Sequence, residues 1–146
     1  MELKVKKFDE LTVNELYDIM KERVNIFVVE QSCPYSELDD KDKVSLHAWL
    51  EEDGKIVAYC RVIPQGVSYE EASVGRVIST KRRMGYGLGI VKTGINLAKE
   101  HFKAEKIRIE AQVYARELYE KAGFRQVSDE FLEDGIPHIE MLWEDK

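Results

Sequence analysis

Arg82-Arg83-Met84-Gly85-Tyr86-Gly87 carries more information than any other stretch of this chain, because two basic residues run into alternating glycines where a helical pattern begins. Glycines let a backbone come close to a ligand, and the unpaired N–H groups of a first helical turn point outward as anion donors. Such a helix start suits a phosphate-bearing ligand. Two familiar phosphate loops fail on spacing, since a Walker loop and a dinucleotide fingerprint built on Gly85 both require a glycine where Ile90 stands. What remains is Arg, two residues, Gly, one residue, Gly, opening a helix. A plain surface turn could carry the same six residues, so the surrounding chain must decide.

The chain has 146 residues, a length that fits one domain with its own hydrophobic core. Hydrophobic residues make up 44% and charged ones 34%, and no stretch approaches the roughly 20 apolar residues that span a bilayer. No membrane partner is expected. Met1 to Lys7 alternates like a strand and lacks the continuous apolar region of a signal peptide, which points to a cytoplasmic protein. Cys33 and Cys60 are the only cysteines, too few for a disulfide framework or a CxxC metal site, and both are expected to be reduced. Cys60 lies in the apolar run Ile56-Val57-Ala58-Tyr59-Cys60 and reads as a small buried hydrophobe, while Cys33 precedes Pro34 and could line a pocket. No metal site is expected. The net charge of −6 argues against nucleic acid as partner, yet Lys81 to Lys92 contains no Asp or Glu. A basic island in an acidic chain fits a polyanionic ligand.

Working outward, residues 2 to 8 read as a strand, and Thr12-Val13-Asn14-Glu15 is a capping box that should start a helix over about 13 to 28. Arg23 sits on the apolar face of that helix, where it can snorkel to water or serve a pocket, and snorkelling is the favoured reading. Pro34 and the run Glu37 to Lys43 form a polar connection before two strands, about 45 to 52 and 55 to 64, joined by an Asp53-Gly54 turn. A strand over about 72 to 79 feeds the glycine loop, and a helix over about 86 to 102 follows it. Gly89 and Gly94 inside that helix are costly by about 1 kcal/mol each relative to Ala, which points to close packing or close ligand approach. Lys106 to Val113 alternates as a strand, Ala115 to Ala122 is a short helix ended by Gly123, and Phe124 to Leu132 and Ile136 to Trp143 close the chain as two strands. The expected order is β-α-β-β-β-α-β-α-β-β in a single α/β (α+β) domain covering residues 1–146.

Two separated features now stand in order: the loop at 82–87, and Tyr119-Glu120-Lys121-Ala122-Gly123-Phe124, with Tyr four residues ahead of Gly-Phe. Together they resemble the GNAT superfamily of N-acetyltransferases. Phe27-Val28-Val29-Glu30-Gln31-Ser32-Cys33-Pro34-Tyr35, Gly75-Arg76-Val77 and Asp134-Gly135-Ile136-Pro137-His138 are similar to its ElaA-like branch, which extends the resemblance over nearly the whole chain. The resemblance implies a mixed, strongly twisted sheet of about seven strands whose fourth and fifth members, here near 72–79 and 106–113, splay to admit a pantetheine arm. It implies acetyl-CoA as donor, its pyrophosphate on the amides of Arg82, Arg83, Met84, Gly85, Tyr86 and Gly87. Val77 and Ile78 would offer backbone groups to the pantetheine and the thioester carbonyl. Met84 and Tyr86 are bulkier than the small or polar residues often found there, but only backbone contacts are needed.

The implied chemistry is direct attack of a neutral primary amine on the thioester, with Tyr119 as general acid. A phenol ordinarily titrates near about 10 and a thiol near about 8.5, so Tyr119 stays protonated at neutral pH and can donate to a departing thiolate. The general base is left open among Glu30, Glu71, Glu110, His138 and a water chain. Glu30, Arg76 and His138 are the candidate acceptor-side residues. Arg61 and Arg76 fall within apolar strands, where an unpaired charge is costly, so they should pair with acids such as Glu30 or line the acceptor site. The acceptor itself, a small-molecule or protein amine, is not legible, and the chain is expected to act as a monomer or homodimer. Two other readings stay open: a catalytically silent acyl-CoA-binding or regulatory module, and an acyltransferase of the acyl-homoserine-lactone type.

Overall fold

The computed structural model describes residues 1–31, 37–80 and 85–146. Lys81, Arg82, Arg83 and Met84 of the basic loop and Cys33 lie outside the described residues. Strand β1 (Glu2–Lys7) leads through a short 3-10 turn to α1 (Val13–Arg23). The expected capping box forms: Glu15 N–H donates to Thr12 Oγ1 at 3.1 Å and Thr12 N–H to Glu15 Oε1 at 2.9 Å. The expected continuous helix is shorter as an α-helix, because the chain widens into a π-helical stretch over Val24–Glu30.

Strands β2 (Leu46–Glu52), β3 (Lys55–Ile63) and β4 (Ser73–Ser79) follow, and with β1 they form an antiparallel sheet in the order β1-β2-β3-β4. The Asp53-Gly54 turn works because both residues take positive φ, 52° and 75°, as a tight two-residue hairpin requires. Helix α2 (Tyr86–Phe102) then leads to β5 (Lys106–Gln112), a 3-10 turn and the short α3 (Arg116–Lys121). Gly94 is where α2 lies against the sheet: a Cβ built there would stand 2.8 Å from Val74 Cγ1 and 3.2 Å from Cys60 Sγ. Close packing therefore accounts for Gly94, whereas Gly89 faces open space.

The C-terminal part holds β6 (Arg125–Gln126), β7 (Phe131–Glu133) and β8 (Ile136–Glu144), with β8 central between β5 and β6 and also pairing β7. The single strand expected over 124–132 is thus two, and the sheet strands number eight among the described residues. The break has a local cause. After Val127 N–H donates to Glu140 O, the Ser128 hydroxyl rather than a backbone carbonyl accepts from Glu140 N–H at 2.8 Å, and the ladder lapses until β7.

The two sheets meet at one place. Ala72 and Ile107 form a parallel bridge, Arg108 N–H donating to Ala72 O at 2.9 Å, and from there β4 and β5 part. On the α2 face of the sheet, Ala58, Cys60, Val62, Val74, Ile107, Ile109 and Met141 pack with Ile90, Val91 and Ile95. On the opposite face, Trp49, Tyr59 and Ile78 pack under Ile19 of α1. No helix among the described residues is long and apolar enough to cross a membrane.

Candidate active site

A cavity of about 570 Å³ opens where β4 and β5 diverge. Val74, Gly75 and Val77 line it from β4, Ala111 and Gln112 from β5, and Leu118 and Tyr119 from α3. The strand pattern decides what faces each side. Ile107, Ile109 and Ala111 point to the α2 core, so Arg108, Glu110 and Gln112 point to the α1 face, as do their register partners Leu142, Glu140 and His138. The cavity is lined from both sides, by Tyr119 as well as by Glu110, Tyr69 and Glu133.

Tyr119 lies edge-on to Phe124, ring centroids 5.7 Å apart at 81°, and its position follows from the helix end: Phe124 N–H returns to Tyr119 O at 3.0 Å across the left-handed Gly123. Burial raises its phenol above the ordinary value, with Cys60 and Tyr114 adding to the shift. Cys60 is fully buried, and burial pushes its thiol up to about 12, in keeping with the role of a small hydrophobe.

Glu110 keeps an open edge to solvent, yet partial burial of its carboxyl, a hydrogen bond with Glu133 and the charges of Glu133 and Glu140 push it up to about 7. Tyr69 hydrogen-bonds to it and pulls the other way. The crowding follows from register, because Glu110 stands opposite Glu140 and like charges facing across a strand pair repel. Arg108 relieves Glu140, at 3.3 Å, and binds both oxygens of Glu71 at 3.1 and 3.2 Å, which leaves Glu71 held below the usual carboxylate range. His138 donates from Nδ1 to Ile136 O at 2.7 Å and stacks on Phe131, and its Nε2 lies 3.9 Å from Glu133 Oε2.

The remaining expected residues are placed as follows. Val77 lines the cavity, and Ile78 turns its side chain into the second core while pairing with Tyr59 in the ladder. Gly85 is the N-cap of α2 in the left-handed region, φ 76°, and no acid stands in the first turn. Tyr86 packs against the main core, and Gly87 lies between Leu118 and Ser79. Glu30 is exposed at the end of the π-helical stretch and is not among the cavity-lining residues; its neighbour Gln31 is, accepting from Gln112 Nε2 at 3.1 Å.

Arg23 does not snorkel: it is 0% exposed. Its Nε donates to Glu37 Oε2 at 2.7 Å and its Nη1 to Asp42 Oδ1 at 2.6 Å. Arg61 takes Asp39 with two nitrogens, at 2.8 and 3.0 Å, and reaches Asp42 at 3.2 Å. Arg76 takes both oxygens of Glu37, at 3.0 and 2.8 Å. Glu37, Asp39 and Asp42, which pair with these strand arginines, come from the polar connection. Sequence reasoning read that run only as a polar connection and so assigned Glu37 and Asp42 no partner. A signal was present, since three arginines on apolar faces each demand an acid and four acids stand within six residues at 37–42.

A family model for the acetyltransferase (GNAT) domain matches residues 15–144. The chain belongs to the GNAT acetyltransferase family. A UPF0039 protein of Schizosaccharomyces pombe is 41% identical over 99% of this chain and 97% of its own length, and protein ElaA of Escherichia coli is 32% identical over 92% and 91%. Among solved structures, an acyl-CoA N-acyltransferase from Pseudomonas aeruginosa superposes with a TM-score of 0.91 at 32% identity, covering 98% of this chain and 99% of that one. The Escherichia coli ElaA structure superposes with a TM-score of 0.91 at 30% identity, covering 99% and 100%. As a GNAT chain of the ElaA-like branch, the protein is an N-acetyltransferase of the acyl-CoA-dependent class.

Proposed function

We propose that the enzyme moves an acetyl group from acetyl-CoA to a primary amine by direct attack, with Glu110 accepting the amine's proton and Tyr119 supplying a proton to the departing sulfur. The observation that carries this reading is that one cavity touches both Glu110 on the α1 face and Tyr119 of α3. When bound, acetyl-CoA supplies an activated thioester. The residues that would hold it fit such a donor: α2 begins with a left-handed glycine, which has no side chain to cap it, and an acid-free first turn, a helix start that favours a phosphate. Arg82, Arg83 and Met84 would complete that cradle, and Val77 and Ile78 would line the pantetheine path.

Proton transfer sets the roles. An ordinary carboxylate titrates roughly six units below an alkyl ammonium near about 10.4, and a group near 7 narrows that gap by almost half. Glu133, Asp134 and Glu140 add negative charge around it, which attracts a cationic acceptor. Tyr119, held protonated by burial, donates to the thiolate as it forms. The setting of this chemistry would be the cytoplasm.

The test pairs calorimetric titration of acetyl-CoA with thiol release across a panel of amines. Binding together with amine-dependent thiol release is expected; binding without release for any amine would favour a silent acyl-CoA-binding module. Tyr119→Phe should lower kcat about 10²-fold and leave acetyl-CoA affinity within a few-fold. Unchanged turnover in that variant would remove Tyr119 from the mechanism.

A further inference from the structure

Strand β4 bulges against β3, carrying two residues where its partner carries one. Tyr59 pairs with Ile78 and Arg61 with Gly75, so Cys60 alone faces both Arg76 and Val77. The extra residue decides which side chains face which side. Val74 precedes the bulge and faces α2, and Val77 after it packs on that side again, while Ile78 joins Trp49 and Tyr59 on the other. Strict alternation from Val74 would instead have put Arg76 into the apolar α2 core and Val77 on the α1 side.

The bulge rests on a residue ill suited to it. Arg76 has φ 51°, a left-handed conformation that glycine takes freely and that other side chains resist. What holds it is the side chain. Arg76 Nε binds Glu37 Oε1 and Oε2 at 3.0 and 2.8 Å, Nη2 lies 3.6 Å from Asp39 Oδ2, and the guanidinium lies 6.0 Å from the Phe27 ring centroid. Glu37 is itself fixed, since buried Arg23 donates to its carboxylate and, at 3.2 Å, to its backbone carbonyl.

We infer that Arg76 is a positioning residue: clamped by Glu37, it keeps β4 in the bulged register that turns Val77 towards the cleft beside Tyr119. The inference rests on the acetyl-transfer reading above for its catalytic consequence. The path of influence is concrete: Arg23 at the end of α1 fixes Glu37, Glu37 fixes Arg76, and Arg76 sets the strand on which the thioester is to lie. Arg76 also lines the cavity, so this role stands beside the expected acceptor-side one.

The test compares R76G, which removes the side chain but accepts positive φ, with R76V, whose branched Cβ opposes it. R76G is expected to exceed R76V in kcat by at least tenfold. E37Q should lower kcat about tenfold in the Arg76 background and by less than twofold in the R76G background, where the clamp has nothing to hold. A Glu37 that acts only through Arg23, and not through Arg76, would instead give equal losses in both backgrounds, and that result, or equal kcat in R76G and R76V, overturns the inference. Hydrogen exchange at amides 74–79 reads the same clamp without activity: faster in R76V and E37Q, slower in R76G than in R76V. If wild-type protein binds no acetyl-CoA the acetyl-transfer reading fails, and the exchange pattern still decides the clamp. Should R76V not fold, the E37Q comparison in the two backgrounds decides it.

Discussion

The two faces of the β3–β4 pair are packed by opposite chemistry. Towards α2 lie Ala58, Cys60, Val62 and Val74, all buried and apolar, with Gly94 letting the helix close in. Towards α1 lie Tyr59, Arg61 and Arg76, joined by His47 of β2, Arg23 of α1 and three acids from one short segment. The first face is held by volume, where misfit costs in proportion to the atoms that clash or go missing. The second is held by stoichiometry, where losing one partner strands another charge in a poor dielectric. The proposed acid and base divide along the same line: Tyr119 packs with the apolar side, and Glu110 lies on the polar one.

Removing one member of the polar set is the severest way to break this contrast. Arg23→Met should cost about 3–5 kcal/mol in urea denaturation, because Glu37 and Asp42 lose their buried cation together. A loss below about 1 kcal/mol would show that this face is not governed by charge balance. On the apolar side, Gly94→Val should cost about 1–3 kcal/mol by overpacking against Val74, and adding Val74→Ala should recover part of it. No recovery would place the strain elsewhere.

That same contrast explains what could be read from the sequence. Periodicity announces volume, so α2, its neighbouring strands and the two glycine turns were legible from apolar spacing and local turn residues. The apolar character of Cys60 was legible for the same reason. Charge balance leaves no periodic trace: Glu37 and Asp42 sit in a run that resembles any solvated loop, and their partners are 14 to 39 residues away in the chain. Glu110 was visible only as one candidate among several, because what singles it out is its register opposite Glu140, which depends on strand pairing. The glycines of the loop implied a ligand, and its basic residues lie outside the described part of the molecule.

Acid sensitivity gives a smaller effect with a definite sign. His47 is 0% exposed, and burial lowers its imidazole below the ordinary value. Tyr59 O–H donates to its Nδ1 at 2.7 Å and its Nε2–H to Asp42 O at 2.9 Å, an arrangement only the neutral ring can make. The unfolded chain takes up a proton below about 6.5 while the native one resists, so this stability is complete above that pH and is lost as pH falls. Glu110 acts in the opposite sense, since its raised value makes the native state hold a proton that the unfolded state releases above the usual carboxylate range. Melting temperature should therefore be followed from pH 7 downwards in Glu110→Gln, where the decline should begin near about 6.5 and move towards the carboxylate range when His47→Gln is added. An unmoved onset would remove His47 from the account. The smallest change should come outside both faces: Lys43→Ala breaks only the exposed contact with Asp40 and should shift stability by less than about 0.5 kcal/mol.

The claim that the polar face supplies the base and the apolar side the acid is tested most directly by the pH dependence of kcat/KM in wild type and Glu110→Gln. Wild type should lose activity with unit slope below about 7, where Glu110 takes up its proton, and the variant should be about 10²-fold slower with no inflection there. A variant that keeps both the wild-type rate and the inflection would contradict it.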